Sequence, residues 1–308
     1  MTASTPATAP RPRRSVLYMP GVNARALEKA RSLGCDAVIF DLEDAVAPDA
    51  KDAARETVAA ALTTGGYGHR ERIVRINGLD TPWGGADLAA AVAMAPDAIL
   101  VPKVNDRAEV ARLSAALDAA GAPSELALWV MIETPLAILN LRDIAAQAPA
   151  TRLSAFVMGI NDLAKDMRAE QTPGREAFVP ALALAVTAAR AYGLTVIDGV
   201  WNALDDAGGF AATCQQGRSF GFDGKTLIHP NQIEVCNATF TPAEAEVAQA
   251  RAVIAAFAEP ENAGKGVLRV NGRMAERLHL IEAQRLVAVA DAIAALRAAS
   301  AQVDTGCA

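Results

Sequence analysis

Eight short apolar runs, each followed by an Ala-rich amphipathic stretch, predict an α/β fold: a (β/α)8 TIM barrel with a small C-terminal helical and hairpin extension. The apolar runs are continuous, as in a parallel sheet covered on both faces. About eight such units over ~240 residues match the count and length of a closed barrel. The runner-up is a doubly wound open sheet. Against it, the first run leads into MPGVNAR, which lacks the GxGxxG dinucleotide turn.

Taken in order, the expected strands are Ser15–Met19, Ala37–Leu42, Arg72–Ile76, Ala98–Val101, Leu126–Ile132, Ala155–Met158, Thr195–Ile197 and Lys225–Ile228. The helical stretches between them lie near Ala24–Ser32, Ala50–Leu62, Gly85–Met94, Arg107–Ala119, Leu136–Gln147, Glu176–Tyr192 and Ala207–Phe220. Their apolar positions recur at three and four residues, as in Val179, Leu182, Val186 and Ala189. After Pro230 the pattern changes. Thr241 as N-cap and Pro242 at the first helical position predict a long helix to about Phe257. Val267–Val270, Asn271-Gly272 and Arg273-Met274 read as a hairpin, and a final helix runs from about Leu280 to Ala299. The expected division is a disordered tail over 1–14, the barrel over 15–240, the extension over 241–299 and a frayed tail over 300–308. The extension is expected to be too small for a core of its own, and to pack on the barrel or on a neighbouring subunit.

With a net charge of −6 and a pI near 5.2, nothing in the composition favours nucleic acid or an anionic membrane surface. The first residues end basic but lack an apolar core, so they do not read as a secretory signal; an organelle transit peptide is the alternative to a disordered tail. Cys35, Cys214, Cys236 and Cys307 show no ligand spacing, which fits a reducing cytoplasm.

A β/α barrel carries its active site at the C-terminal ends of its strands. The expected mouth therefore holds Asp41, Glu43 and Asp44 after strand two, Arg75 and Asn77 after strand three and Lys103 after strand four. Glu133 and Asp162 follow strands five and six, Asp198 strand seven and His229 strand eight. A buried strand that ends in a carboxylate needs a cation or hydrogen-bond donors. Two such endings, Glu133 and Asp162, suggest a shared hard ion, Mg²⁺ or alternatively Mn²⁺; the competing reading has each acid paired with Arg or Lys, or capping a helix. Glu43 and Asp44, with Asp41 beside them, either hold metal-bound waters or cap the helix beginning near Ala50. Arg75 is placed to stabilise an oxyanion or enolate, or to pair with Asp41 or Glu43. His229 reads as a structural loop residue, and Trp83 and Trp201 as lid or packing residues.

The segments RSVLYMPG, FDLEDAVAPDAK, VRINGLDT, VPKV, IET, GINDLAKDM, GFDGKTLIHPNQ and the late NGRM together resemble the citrate lyase beta-subunit family, which includes the malyl-CoA lyases and belongs to the HpcH/HpaI aldolase superfamily. YGHRERIVRINGLDTPWGGADL, DGVWNA and FDGKTLIHP look most similar to its malyl-CoA thioesterase branch. The resemblance implies a barrel with a C-terminal appendage, Mg²⁺ and an acyl-CoA substrate. It implies that Glu133 and Asp162 are the metal ligands and that Arg75 stabilises the thioester enolate. It also implies a homo-oligomer, a trimer or hexamer, in which a C-terminal acid enters the neighbouring site. The family lyases use Asp there, and the matching residue here is Glu276. That departure favours hydrolysis of malyl-CoA to malate and CoA over retro-Claisen or aldol cleavage of malyl-CoA, citramalyl-CoA or a citryl thioester. A carrier-dependent, non-catalytic subunit of a lyase complex and a CoA-independent, metal-dependent pyruvate aldolase are the remaining alternatives. Arg14, Lys103, Thr134 and Asp198 are the candidate substrate and CoA contacts.

Overall fold

The computed structural model describes residues 11–305, with side chains through residue 298. Eight parallel strands close into a barrel in chain order: β1 (Ser15–Pro20), β2 (Ala37–Asp41), β3 (Glu71–Arg75), β4 (Ala98–Val101), β5 (Ala127–Ile132), β6 (Leu153–Met158), β7 (Thr195–Asp198) and β8 (Gly224–Leu227). The connections carry α1 (Ala24–Ala30), α2 (Lys51–Thr64), α3 (Gly84–Met94), α4 (Arg107–Ala119), α5 (Pro135–Leu139) and α6 (Leu141–Ala145). They continue with α7 (Ile160–Met167), α8 (Val179–Ala191), α9 (Ala207–Phe220) and α10 (Ile233–Phe240). This compact unit spans Arg13–Phe240, and its architecture is the closed barrel that the alternating runs predict.

Strand parity explains how an apolar barrel acquires a charged mouth. Val16, Ala37, Ile39, Ile73, Ala98, Leu100, Trp129, Met131, Ala155, Val157 and Ile197 form the cluster inside the barrel. Their sequence neighbours, such as Leu17, Val38, Phe40, Val74, Ile99, Val130 and Phe156, pack in the larger cluster under the helices. Side chains alternate faces with a period of two. Continuing the inward series by one step gives Tyr18 on β1, Asp41 on β2, Arg75 on β3 and Glu133 after β5. On β6 the same step falls on Gly159. A Cβ there would lie 2.3 Å from Glu133 Oε2 and 2.4 Å from Glu133 Cβ, so glycine makes room for the acid.

The opposite end of the barrel corrects two expectations. Arg13 pairs with Glu71, donates to Thr195 Oγ1 at 2.8 Å and lies 5.2 Å from the Trp129 ring. Arg14 is 6% exposed and grips Asp36 through its backbone N–H and two guanidinium bonds of 2.7–2.8 Å. Both arginines therefore belong to the folded barrel and not to a tail. Arg14 sits before β1, at the N-terminal end of the strands, so its role as a CoA contact is overturned. The chain passes there because Gly224 has no side chain: a Cβ would fall 1.9 Å from the Arg13 carbonyl oxygen. Residues 1–10 of the expected N-terminal tail lie outside the described residues, as do residues 306–308 with Cys307.

Local details depart from the expected helices in explicable ways. The stretch near Leu136–Gln147 breaks at Asn140, whose side chain donates to the Asn105 carbonyl at 2.8 Å. Two short helices outside the expected set, α7 and α10, are each eight residues long. From Thr241 onward the chain belongs to a second compact unit. Its helix α11 (Glu244–Ala258) starts after Ala243, whose N–H donates to Glu246 at 2.7 Å; Thr241 is not the N-cap and Pro242 is not in the helix. Strands β9 (Val267–Val270) and β10 (Arg273–Glu276) form the expected hairpin, with Asn271 and Gly272 at φ 49° and 78°. Helix α12 runs over Arg277–Thr305, starting before Leu280 and continuing past Ala299 through most of the expected frayed tail. This unit does have a small apolar core, built on Ala250, Val253, Val270, Ala275 and Ala283. Among the described residues, no helix is long and apolar enough to cross a membrane.

One buried ion cluster holds β7, β8 and the loop before α8 together. Asp198 and Lys225 are both fully buried; Lys225 Nζ lies 3.0 Å from Asp198 Oδ2, and Arg175 Nη1 lies 2.7 Å from Oδ1. Burial alone would push the Asp198 carboxyl up, but the charges of Lys225 and Arg175 and their hydrogen bonds hold it below the usual range. Removing Asp198 strands a buried ammonium, so Asp198→Ala should lose about 3–5 kcal/mol in urea unfolding at pH 7. The depressed folded pKa means that this contribution is complete above the unfolded value of about 3.9 and is lost as pH falls through the folded value. The stability gap between parent and variant should therefore narrow only below about pH 4. Gly159→Ala should cost about 1–3 kcal/mol by overpacking against Glu133, measured in the same way. A Gly159→Ala variant as stable as the parent would contradict the tight fit.

Candidate active site

Asp41 and Arg75 are register partners on adjacent strands, so their side chains meet directly at the mouth. Arg75 Nε and Nη2 donate to the two Asp41 oxygens at 2.7 and 2.6 Å, a bidentate pair. Asp41 also accepts the N–H groups of Glu43 and Ala45 at 2.9 and 3.2 Å, which turns the loop after β2. Both Asp41 oxygens are thus committed, and its expected role beside metal-bound waters gives way to that of holding Arg75. The guanidinium carbon lies 4.8 Å from the Tyr18 ring centroid, a cation–π contact. Arg75 is 7% exposed; burial opposes its charge, but Asp41, Tyr18 and Glu43 together outweigh burial and keep it protonated.

The turned loop points Glu43 at two cations. Its Oε2 lies 2.8 Å from Arg75 Nη1 and its Oε1 lies 3.0 Å from Lys103 Nζ. Asp44 stays 61% exposed at 3.8 Å from Arg75 Nη1. Neither acid caps the helical segment that begins at Pro48; Ala47 precedes it without a side-chain cap, which overturns the capping alternative. Lys51, from the first turn of α2, anchors the loop from beneath. Its Nζ donates to the Leu42 and Glu43 carbonyls and to Asn77 Oδ1 at 2.8–2.9 Å.

Glu133 is 1% exposed and accepts the Lys103 N–H at 2.8 Å. Burial pushes its carboxyl up to about 7; Lys103 opposes the shift, while Glu43 and Asp162 add to it. Asp162 lies in the first turn of α7, 23% exposed, with Lys103 Nζ at 3.8 Å from Oδ2. Five carboxylates (Asp41, Glu43, Asp44, Glu133 and Asp162) thus share the mouth with Arg75 and Lys103, and Lys51 lies below. That surplus of negative charge around a nearly buried glutamate fits a divalent cation. Among the described residues, no three His, Cys, Asp or Glu side chains form a ready ligand set. An ion here would take Glu133 and Asp162 and complete its sphere with water or substrate, which is the habit of Mg²⁺.

The remaining candidates separate by location. Asp198 has no exposed surface and both its oxygens are used by Arg175 and Lys225, so it is a structural ion and not a substrate contact. Thr134 caps α5, accepting from the Ala137 N–H at 3.0 Å, and donates to Asn105. His229 caps the turn after β8 through Nδ1, in keeping with its structural reading. Trp83 packs over Lys51, 5.2 Å from Nζ to the ring centroid. Glu276 ends β10 in the C-terminal unit, half-buried, with its N–H donating to His279 Nδ1 at 2.9 Å. Sequence reasoning missed Tyr18, Lys51, Asn105 and Gly159. Parity from Val16 would have found Tyr18; Lys51 carries no such signal, because it lies in an ordinary amphipathic run.

The chain is similar to several known proteins. The chain is 51% identical over 287 residues to a (3S)-malyl-CoA thioesterase of Cereibacter sphaeroides, covering 93% of this chain and 98% of that protein. It is 37% identical over 285 residues to citrate lyase subunit beta of Leuconostoc mesenteroides subsp. cremoris, covering 91% and 94%. The crystal structure of CitE from Mycobacterium tuberculosis in complex with magnesium, acetoacetate and coenzyme A is 26% identical, with a TM-score of 0.70 and coverage of 90% and 97%. The model of the HpcH/HpaI aldolase/citrate lyase family matches residues 14–230, from the strand that opens the barrel to the turn that follows its last strand, and the chain belongs to that family.

Proposed function

We propose that this protein is a Mg²⁺-dependent thioesterase that hydrolyses malyl-CoA to malate and free CoA. The observation that carries the reading is the 51% identity to a (3S)-malyl-CoA thioesterase over almost the whole of both chains, well above the 37% to citrate lyase subunit beta. Magnesium held by Glu133 and Asp162 would anchor the hydroxy-carboxylate end of the malyl group and offset the surplus charge of the mouth. Arg75 then faces the thioester carbonyl. Asp41 and Tyr18 hold its guanidinium in place, so little reorganisation is needed as negative charge develops on the carbonyl oxygen. Its Nη1 also meets the Met131 sulfur at 3.6 Å, a weak acceptor that an acyl oxygen displaces readily. Glu276 takes a proton from the attacking water, which adds to the thioester carbon; collapse of the adduct expels the CoA thiolate, and the proton returns to it.

In this reading Glu276 comes from a neighbouring copy, so the working form is a homo-oligomer. The reading also has the protein working in the reducing cytoplasm, where its buried free thiols Cys35, Cys214 and Cys236 stay reduced. A second reading, carbon–carbon cleavage of malyl-CoA, citramalyl-CoA or a citryl thioester, is favoured by the citrate lyase relatives. It uses the same mouth, with Arg75 stabilising the acyl-CoA enolate.

Purified protein with Mg²⁺ and malyl-CoA should release free thiol without glyoxylate. Glyoxylate without thiol would establish the lyase instead, and neither product would favour a carrier-dependent subunit or a CoA-independent aldolase. Chelation with EDTA should abolish thiol release, and added Mg²⁺ or Mn²⁺ should restore it. Glu276→Gln should lower kcat by about 100-fold or more, the usual contribution of a general base. Co-expressed Glu276→Gln and Glu133→Gln chains should regain activity in mixed oligomers, and failure to do so would argue against a base supplied in trans.

A further inference from the structure

Lys103 touches three of the mouth acids, among them both Glu133 and Asp162. Its backbone N–H donates to Glu133 Oε1 at 2.8 Å, and its ammonium lies 3.0 Å from Glu43 Oε1 and 3.8 Å from Asp162 Oδ2. To do so it adopts a left-handed backbone at φ 54°, an unfavourable conformation for a residue with a side chain. Asn105 pins this conformation by donating from Nδ2 to the Lys103 carbonyl at 2.8 Å, and Asn140 holds the Asn105 carbonyl in turn. The neighbouring Pro102 and Val104 are buried, while the Lys103 side chain is 47% exposed. A rigid backbone thus presents a long, half-exposed stem with a compact point charge at its end. Such a stem can withdraw into solvent where a planar, multiply bonded guanidinium would resist.

We propose that Lys103 is a tethered cation that competes with the divalent ion for the mouth carboxylates and so sets the affinity of that site. This rests on the reading that Glu133 and Asp162 take a divalent ion. The ammonium draws on Asp162, one of those two acids, and on Glu43 beside them. A second positive charge approaching the same carboxylates is repelled by it, and the repulsion is screened but not removed in a half-exposed site. In exchange, Lys103 keeps the crowded acids in position before the ion arrives. This makes it a positioning residue that also caps how tightly metal can bind. A grip on CoA phosphate, the alternative role for a lysine at this mouth, is harder to combine with an ammonium already held by two carboxylates.

The test is isothermal titration of the full-length protein with Mn²⁺ alone, at one pH and without substrate, alongside thermal unfolding in the same buffers. Lys103→Met removes the charge and keeps the N–H to Glu133. Lys103→Gly does the same and also relieves the left-handed backbone, so it serves if the methionine variant folds poorly. Both should bind Mn²⁺ about tenfold more tightly than the parent, equivalent to about 1.4 kcal/mol. Both should also gain more in thermal midpoint from added Mn²⁺ than the parent does. Lys103→Arg, which keeps the charge on a group that withdraws less readily, should bind Mn²⁺ no more tightly than the parent. Unchanged or weaker Mn²⁺ binding in the methionine and glycine variants would overturn the proposal, the first pointing to a phosphate grip and the second to a purely supporting role. Glu133→Gln is the control for the reading beneath it: Mn²⁺ binding should disappear, and parental binding there would instead refute the assignment of the metal ligands.

Discussion

The bidentate pair between Arg75 and Asp41 is the interaction on which the rest of the mouth depends. Both groups are almost fully buried, and neither is tolerable alone in an apolar barrel. Their strands place them as register partners, so the pair forms without any excursion of the backbone. Asp41 then uses its remaining acceptor capacity on the N–H groups of Glu43 and Ala45. That fixes the loop that directs Glu43 to Arg75 and Lys103, and Lys103 fixes Glu133 through its N–H. The series starts from one ion pair and the pitch of a parallel sheet, and at its far end Asn105 holds the Lys103 backbone.

The barrel was legible because its strands are apolar on both faces and its helices on one. That contrast follows from burial between the barrel interior and the helical layer. The inward residues Asp41, Arg75 and Glu133 were legible for the same reason: a charge ending an apolar run sits where the barrel meets solvent. Arg14 was misread although it precedes the expected first strand and so lies at the N-terminal end of the barrel. What only the folded sheet shows is that Asp36 consumes it. The start of α11 was misread because Thr-Pro followed by acids fits two helix registers, and the bond from the Ala243 N–H to Glu246 selects the later one.

Asp198 and Glu133 show what a sequence cannot separate. Each is an acid at the end of an apolar strand, and each is essentially buried. Arg175 and Lys225, far from Asp198 along the chain, close on it and hold its carboxyl below the usual range. Among the described residues, Glu133 meets a peptide N–H and a shared ammonium against two neighbouring acids, and its carboxyl rises to about 7. The same local pattern therefore yields a finished structural ion in one case and an incompletely compensated carboxylate in the other. The difference lies entirely in long-range partners. A lysine inside β8 is the one local hint, since a buried ammonium within a strand demands an acid nearby.

The mouth itself does not decide the fate of a thioester. A charged guanidinium and an anchored acyl chain stabilise negative charge on the carbonyl oxygen, whether that charge arises from attack by water or from loss of an aldehyde fragment. The chemistry diverges at the proton. Cleavage needs a base at the substrate hydroxyl, whereas hydrolysis needs one at a water beside the thioester carbon. If, as the resemblance implies, Glu276 stands where the family lyases carry Asp, its extra methylene would shift the carboxylate by about an ångström, a displacement that can change rates by ~100-fold. On the proposed reading, specificity between two reactions rests on a single methylene carried outside the barrel, while the barrel supplies a charge environment that serves either.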